Sequence, residues 1–150
     1  MYYVNVEQMD ERLAMIPLLT QACGELLRQE GAAPLPLLSR LAQERALHLA
    51  IELVTDVGSL LIDGFLLRDA SSYEDIIEIL RVESIFPDEL VAPLQELVRL
   101  RKPLVQDYMR AGTETLHPLT RQLPGLLASF EASVRAFMAK ELGPFGKGVQ

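Results

Sequence analysis

Arg99, Arg101, Lys102 and Arg110 bring four cations into a stretch of chain, 99–110, whose single acid is Asp107. Cations crowded in this way can hold phosphate oxygens by charge-assisted hydrogen bonds, arginine through a planar fork of donors. In the same stretch Pro103 removes a helical amide and clashes with the carbonyl of Arg99, which kinks a helix at that point. A kink beside a cation cluster is a place where a site can form. The plainer reading, a solvated face near a helix C-terminus where cations suit the dipole, accounts for the charges but leaves the proline unexplained.

A second constellation is His48, Glu52 and Asp56, spaced four residues apart along an otherwise apolar segment. One histidine and two carboxylates on a stripe could ligate a divalent metal. An apolar helix, however, also needs one polar strip toward solvent, a partner or the basic helix, so these residues are read as lining a cleft, with no metal and no cofactor. His117, the other histidine, precedes Pro118 in an expected turn. Cys23 has no adjacent base to make it a nucleophile and reads as packing. Neither a phosphate-cradling glycine loop nor a Ser-His-Asp arrangement is visible.

The elements that must position these residues are helices. Met9, Leu13, Ile16, Leu19, Leu26 and Leu27 recur at helical spacing in a first segment of roughly 25 residues that stops at Gly31, with Pro17 placed to bend it. From Leu37 to Leu66 runs the most apolar segment, whose broad face of Leu47, Ala50, Ile51, Val54, Val57, Leu61 and Phe65 marks it as the central helix. Ser71 and Glu74 read as a capping box opening a helix from Tyr73 to Glu83. A fourth helix opens at Phe86-Pro87-Asp88-Glu89 and is expected to reach Gly112. Thr113 offers a cap for a fifth, rich in leucine and phenylalanine, which ends at Gly143-Pro144.

The spacing therefore predicts an all-α, antiparallel up-and-down bundle of about five helices. A single domain over residues 1–142 with a flexible tail at 143–150 suits 150 residues, of which 49% are hydrophobic and 23% charged. The net charge of -7 argues against a broad electrostatic grip on nucleic acid and leaves room only for a focal one. One cysteine excludes an internal disulfide and a thiolate metal site. With charges interrupting every apolar run, no membrane span is expected, and a reducing cytoplasm fits best.

At this point the residues reach a family. The run Leu100-Arg101-Lys102-Pro103-Leu104-Val105-Gln106-Asp107-Tyr108 resembles the signature of HEPN-domain proteins of the HepT-like group, in which arginine is followed after four residues by histidine and then, one residue on, by tyrosine. Tyr2-Tyr3-Val4-Asn5, the segment from Asp56 to Phe65, Arg68-Asp69 and the segment from Ser72 to Ile77 are similar to this group in the same order, so the resemblance reaches to about Leu142. It implies a helical homodimer whose paired motifs face each other, and an RNA-cleaving toxin restrained by an MNT-type nucleotidyltransferase that adenylylates the motif tyrosine. By position, Arg101 would contact phosphate with Arg99, Lys102 and Arg110 as further RNA-binding cations, and Tyr108 would be the modifiable hydroxyl.

The motif histidine is missing: Gln106 stands in its place, and Lys102 stands where the group more often has a short polar residue. Imidazole exchanges a proton near neutral pH and contributes roughly 10²–10⁴ in rate as a general acid or base, whereas an amide can only hydrogen-bond. On an ideal helix Arg101 and Tyr108 share a face, while Gln106 lies about 140° away from Arg101. Convergence must come from the kink, a neighbouring helix or a second subunit. The preferred reading is a ribonuclease-like dimer that binds RNA, a nucleotide or a partner and cleaves weakly or not at all. Two others stay open: an active ribonuclease toxin with a displaced base such as His48, and a structural or regulatory dimerisation module.

Overall fold

The computed structural model describes residues 2–110 and 114–143, and every regular element within them is helical. In order these are α1 (Val6–Leu13), α2 (Ile16–Leu27), α3 (Leu37–Gly64), α4 (Tyr73–Val82), α5 (Val91–Arg99) and α6 (Pro118–Leu142). Short 3₁₀ turns cover Asp88–Leu90 and Tyr108–Arg110, and a π turn covers Lys102–Gln106. The all-α bundle expected from the periodicity is the fold, with α1 and α2 together making the first of its five rods. No helix among the described residues is long and apolar enough to cross a membrane.

Helix α3 is the axis. Leu47, Ala50, Ile51, Val54, Val57 and Leu61 are buried along it, and it packs against α1, α2, α4, α5 and α6. Cys23 of α2 is fully buried in the same core, where loss of hydration pushes its thiol up to about 11, so the thiolate is suppressed at neutral pH.

Several boundaries differ from the expected ones for local reasons. The first segment breaks rather than bends: Pro17 sits at the start of α2 with no N–H to offer Leu13, and Met15 N–H donates instead to Arg12 O at 3.0 Å in a tighter turn. The cap of α4 lies one residue later than Ser71/Glu74. Ser72 Oγ accepts from Asp75 N–H at 3.0 Å, and the Asp75 carboxylate reaches back to Ser71 N–H at 2.9 Å. The fourth helix starts at Val91 after a 3₁₀ turn and ends at Arg99, far short of Gly112, because Pro103 disrupts the ladder. Helix α6 begins at Pro118 with His117 as its cap, Nδ1 accepting from Leu119 N–H at 3.0 Å. Thr113 and, apart from Gly143, the expected tail lie outside the described residues. Gly143 ends α6 as expected, at φ 66.

Helix α4 lies so close to α3 that a Cβ at Gly58 would stand 2.4 Å from Ile76 Cγ2. Ile76 is β-branched and stiff at χ1, so it cannot swing aside without moving α4. Alanine at position 58 is expected to destabilise the fold. Overpacking costs about 1–3 kcal/mol, of which up to about 1 kcal/mol is offset by better helix propensity. Urea denaturation of Gly58→Ala would show a lowered midpoint, and an unchanged or raised one would contradict this packing.

Candidate functional site

Pro103 has no amide hydrogen, so the carbonyl of Arg99 loses its usual donor four residues on. The backbone widens in response. Leu104 N–H donates to Leu100 O at 3.0 Å, but Asp107 N–H donates to Lys102 O, five residues back, at 2.8 Å. A turn that closes over five residues carries side chain i+5 back over side chain i, and such π turns recur at functional sites. Arg101 and Gln106 are separated by that interval, and both line one cleft of about 220 Å³ together with Arg99, Lys102, Tyr73 and Glu74. The convergence that a straight helix forbids is thus supplied within one chain.

The opposite wall of the cleft is the start of α4, fixed by a set of polar contacts. Arg68 donates two hydrogen bonds to the Asp75 carboxylate, at 2.6 and 2.7 Å. These bonds, reinforced by Ser71 N–H, hold the Asp75 carboxyl well below the usual carboxylate range. A carboxyl lowered in the folded state stabilises the fold above its unfolded pKa, and this contribution is lost as pH falls through the acid range toward the folded value. Helix α5 is tied to the same place: Gln95 Nε2 donates to Glu74 O at 3.2 Å, and Arg99 Nε lies 3.4 Å from Glu74 Oε2.

Arg101 is gripped from two sides. Its Cζ sits 4.1 Å from the centroid of the Tyr73 ring, a cation–π stack. On the α3 side its Nε is 3.8 Å from Glu52 Oε1, near enough for charge attraction but too far for a hydrogen bond. The same Glu52 oxygen is 3.4 Å from His48 Nε2, so His48, Glu52 and Arg101 form a continuous file. Of the sequence candidates, Arg99, Arg101, Lys102 and Gln106 therefore come together in the cleft, with His48 and Glu52 behind the guanidinium.

The remaining candidates are placed elsewhere. Asp56 turns to Arg12, 3.4 Å away, because its further turn along α3 brings it beside α1. Tyr108 is 66% exposed in the 3₁₀ turn and Arg110 is exposed with it, and neither lines the cleft. The ideal-helix expectation that Tyr108 shares a face with Arg101 fails because the π turn shifts all later residues around the axis. Tyr73 was missed by sequence reasoning as a site residue. At the opening of a helix Tyr73 reads as local structure, and only the fold shows it against Arg101.

A larger hollow, about 520 Å³, lies between the 83–88 loop and α6, but Glu83, Asp88 and Glu141 outnumber Lys140 in its wall. Its charged lining is net negative, whereas that of the smaller cleft, with Arg99, Arg101 and Lys102 against Glu74, is net positive. Beside these cations, the Gln106 amide and the Tyr73 phenol are hydrogen-bond donors in the lining of the smaller cleft.

Residues 21–132 match the family described as Ribonuclease HepT-like. The chain is 37% identical over 107 residues to the Bacillus subtilis (strain 168) protein named "Putative RNase YutE", covering 71% of this chain and 74% of that one. It also superposes on the solved structure of YutE from Bacillus subtilis, described there as a cytosolic protein of unknown function. The TM-score is 0.82 at 31% identity, with 96% of this chain and 97% of that chain covered. A family match over most of the chain, with a fold shared over 96% of it, places this protein in the ribonuclease HepT-like family.

Proposed function

We propose that this HepT-like protein holds RNA by a backbone phosphate in the Arg101 cleft and cleaves it weakly or not at all. One observation carries the reading: Gln106, which the resemblance aligns with the motif's histidine, lines the cleft together with Arg101, Arg99 and Lys102. The cations that bind phosphate are assembled there, and a group able to exchange a proton at neutral pH is not. Membership of a ribonuclease family supports RNA as the polyanion.

The working form in this reading is a cytoplasmic homodimer. Exposed Leu37, Leu38 and Leu41 at the start of α3, together with exposed Tyr108 and Met109, supply apolar surface for pairing. Light scattering is expected to give about twice the 16.7 kDa chain mass at micromolar concentration, and a monomer mass would remove the dimer from the reading. The exposure of Tyr108 suits a hydroxyl that an MNT-type nucleotidyltransferase partner adenylylates.

The direct test is the anisotropy of a labelled single-stranded RNA. Arg101→Ala is expected to weaken binding by about 1–3 kcal/mol, the size of a charge-assisted contact. Equal affinity in a folded Arg101→Ala variant would remove Arg101 from the site. The file from His48 through Glu52 to Arg101 favours one second reading, an active ribonuclease whose base is displaced to His48. Cleavage by the wild type that disappears in both His48→Ala and Arg101→Ala would put that reading first.

A further inference from the structure

The geometry points to a nucleobase subsite on Tyr73, so that the cleft takes one splayed-out nucleotide of single-stranded RNA, its phosphate on Arg101 and its base on the Tyr73–Arg101 stack. This rests on the RNA-binding reading and goes beyond it by adding a base-recognising residue and a preference for unpaired strands.

Three observations converge. Tyr73 is a large aromatic left 41% exposed on the wall of the cleft, where burial would have been the favourable place for an apolar ring of that size. Its ring carries the Arg101 guanidinium at 4.1 Å from the centroid, so ring and guanidinium form two layers of one stack, and planar bases extend such stacks on aromatic or guanidinium faces alike. Finally, Arg101 is poised rather than consumed. Its Nε is buried without a hydrogen bond among the described residues, and Glu52 stays at 3.8 Å. The guanidinium is thus oriented by stacking, and an incoming phosphate competes with a long ion pair and not with a formed hydrogen bond.

The surroundings supply the rest of a single-strand site. Arg99 and Lys102 on the cleft rim can follow the neighbouring phosphates, in the combination of cationic track and stacking platform that sequence-tolerant single-strand binding requires. Glu74, 3.4 Å from Arg99, sets a limit on the negative charge tolerated at the rim. A base held in a duplex cannot lie on the Tyr73 ring without leaving its own stack, so paired RNA is disfavoured.

The chain contains no tryptophan, so Tyr73→Trp installs a single reporter at the site while keeping an aromatic face. Its emission is expected to be quenched on adding a short oligoribonucleotide and to stay unchanged with an abasic oligomer of equal length or with inorganic phosphate. In anisotropy, Tyr73→Leu should weaken single-stranded RNA binding by about 5- to 150-fold, the worth of one stacked base, and weaken the abasic oligomer by a smaller factor through the lost hold on Arg101, while Tyr73→Phe, which keeps the ring, stays within about twofold of wild type on both ligands. A structural role alone would lower both ligands by the same factor. If wild type binds the RNA and the abasic oligomer equally, and the emission of the Tyr73→Trp variant does not respond to either, the base subsite is overturned while phosphate binding stands. If wild type binds neither, the RNA-binding reading falls and the subsite with it.

Discussion

Histidine in place of Gln106 is expected to raise RNA cleavage by roughly 10²–10⁴-fold over the wild-type chain, the usual worth of a positioned general acid or base. The argument is geometric first. Position 106 is one π turn from Arg101 and lines the same cleft, so an imidazole introduced there enters a site already lined by Arg99, Arg101 and Lys102. It is chemical second. An amide neither takes the ribose hydroxyl proton nor returns one to the leaving oxygen, whereas imidazole does both near neutral pH. Lys102, also in the cleft, favours the neutral form of an imidazole beside it and can draw it aside, so Gln106→His is measured with and without Lys102→Asn.

The measurement is cleavage of a labelled single-stranded RNA by wild type, Gln106→His and the double variant, with Arg101→Ala added to each as the control for contaminating nuclease. Arg101-dependent gain in either histidine variant supports the proposed loss of cleavage through position 106. Robust Arg101-dependent cleavage by the unmodified wild type would overturn it and favour the file through His48. Two folded histidine variants that bind RNA yet cleave no faster than wild type would show that position 106 is not where the missing proton carrier belongs.

The sequence made the helices legible because the apolar period of α3 is sustained over seven turns and more, and because glycines and prolines punctuate its neighbours. It made Arg101 and Gln106 legible as a pair only through motif resemblance. What hid their juxtaposition was the assumption of a uniform helix. The effect of Pro103 could be read as a kink, but whether a helix answers a proline by bending or by widening into a π turn depends on which carbonyls neighbouring amides can reach, and that is decided by packing. The same limit applies to Glu52 and Asp56. One turn apart on α3, they read as a single stripe, yet the partners presented by other helices send Glu52 to Arg101 and Asp56 to Arg12. Tyr73 and Gln43 were missed for opposite reasons, the first because a local cap accounted for its surroundings and the second because glutamine on a helix reads as solvent-facing.

Gln43 carries the second large expectation. It falls on the same helical stripe as Leu47, Ala50, Val54, Val57 and Leu61, which is the signal that could have found it: a polar residue standing where the period demands core. It is fully buried. Its Nε2 donates to Thr115 O at 3.0 Å, and its Oε1 accepts from His117 N–H and from Thr120 Oγ1, both at 2.8 Å. One side chain thus fastens the start of α6, and the approach to it, onto α3. Leucine at this position fills the space but removes the partner of the buried Thr120 hydroxyl and of the part-buried His117 N–H and Thr115 carbonyl, at about 1–3 kcal/mol for each group left unmet away from water. Because neighbouring losses are not additive, Gln43→Leu is expected to cost about 2–5 kcal/mol in all. Adding Thr120→Val removes one stranded hydroxyl, so the double variant should recover part of that loss even though Thr120→Val alone destabilises. Acid should lower the stability of wild type and variants alike. Burial holds the His117 imidazole below its ordinary pKa, so the folded state resists its protonation, and the stability this neutral form provides above pH 6.5 declines as pH falls below that value. Urea denaturation of wild type, both single variants and the double variant at neutral and mildly acid pH measures all of these terms. A loss below about 1 kcal/mol in Gln43→Leu would mean that water or a shifted loop satisfies His117 and Thr120, and that α6 is fastened by its apolar face alone.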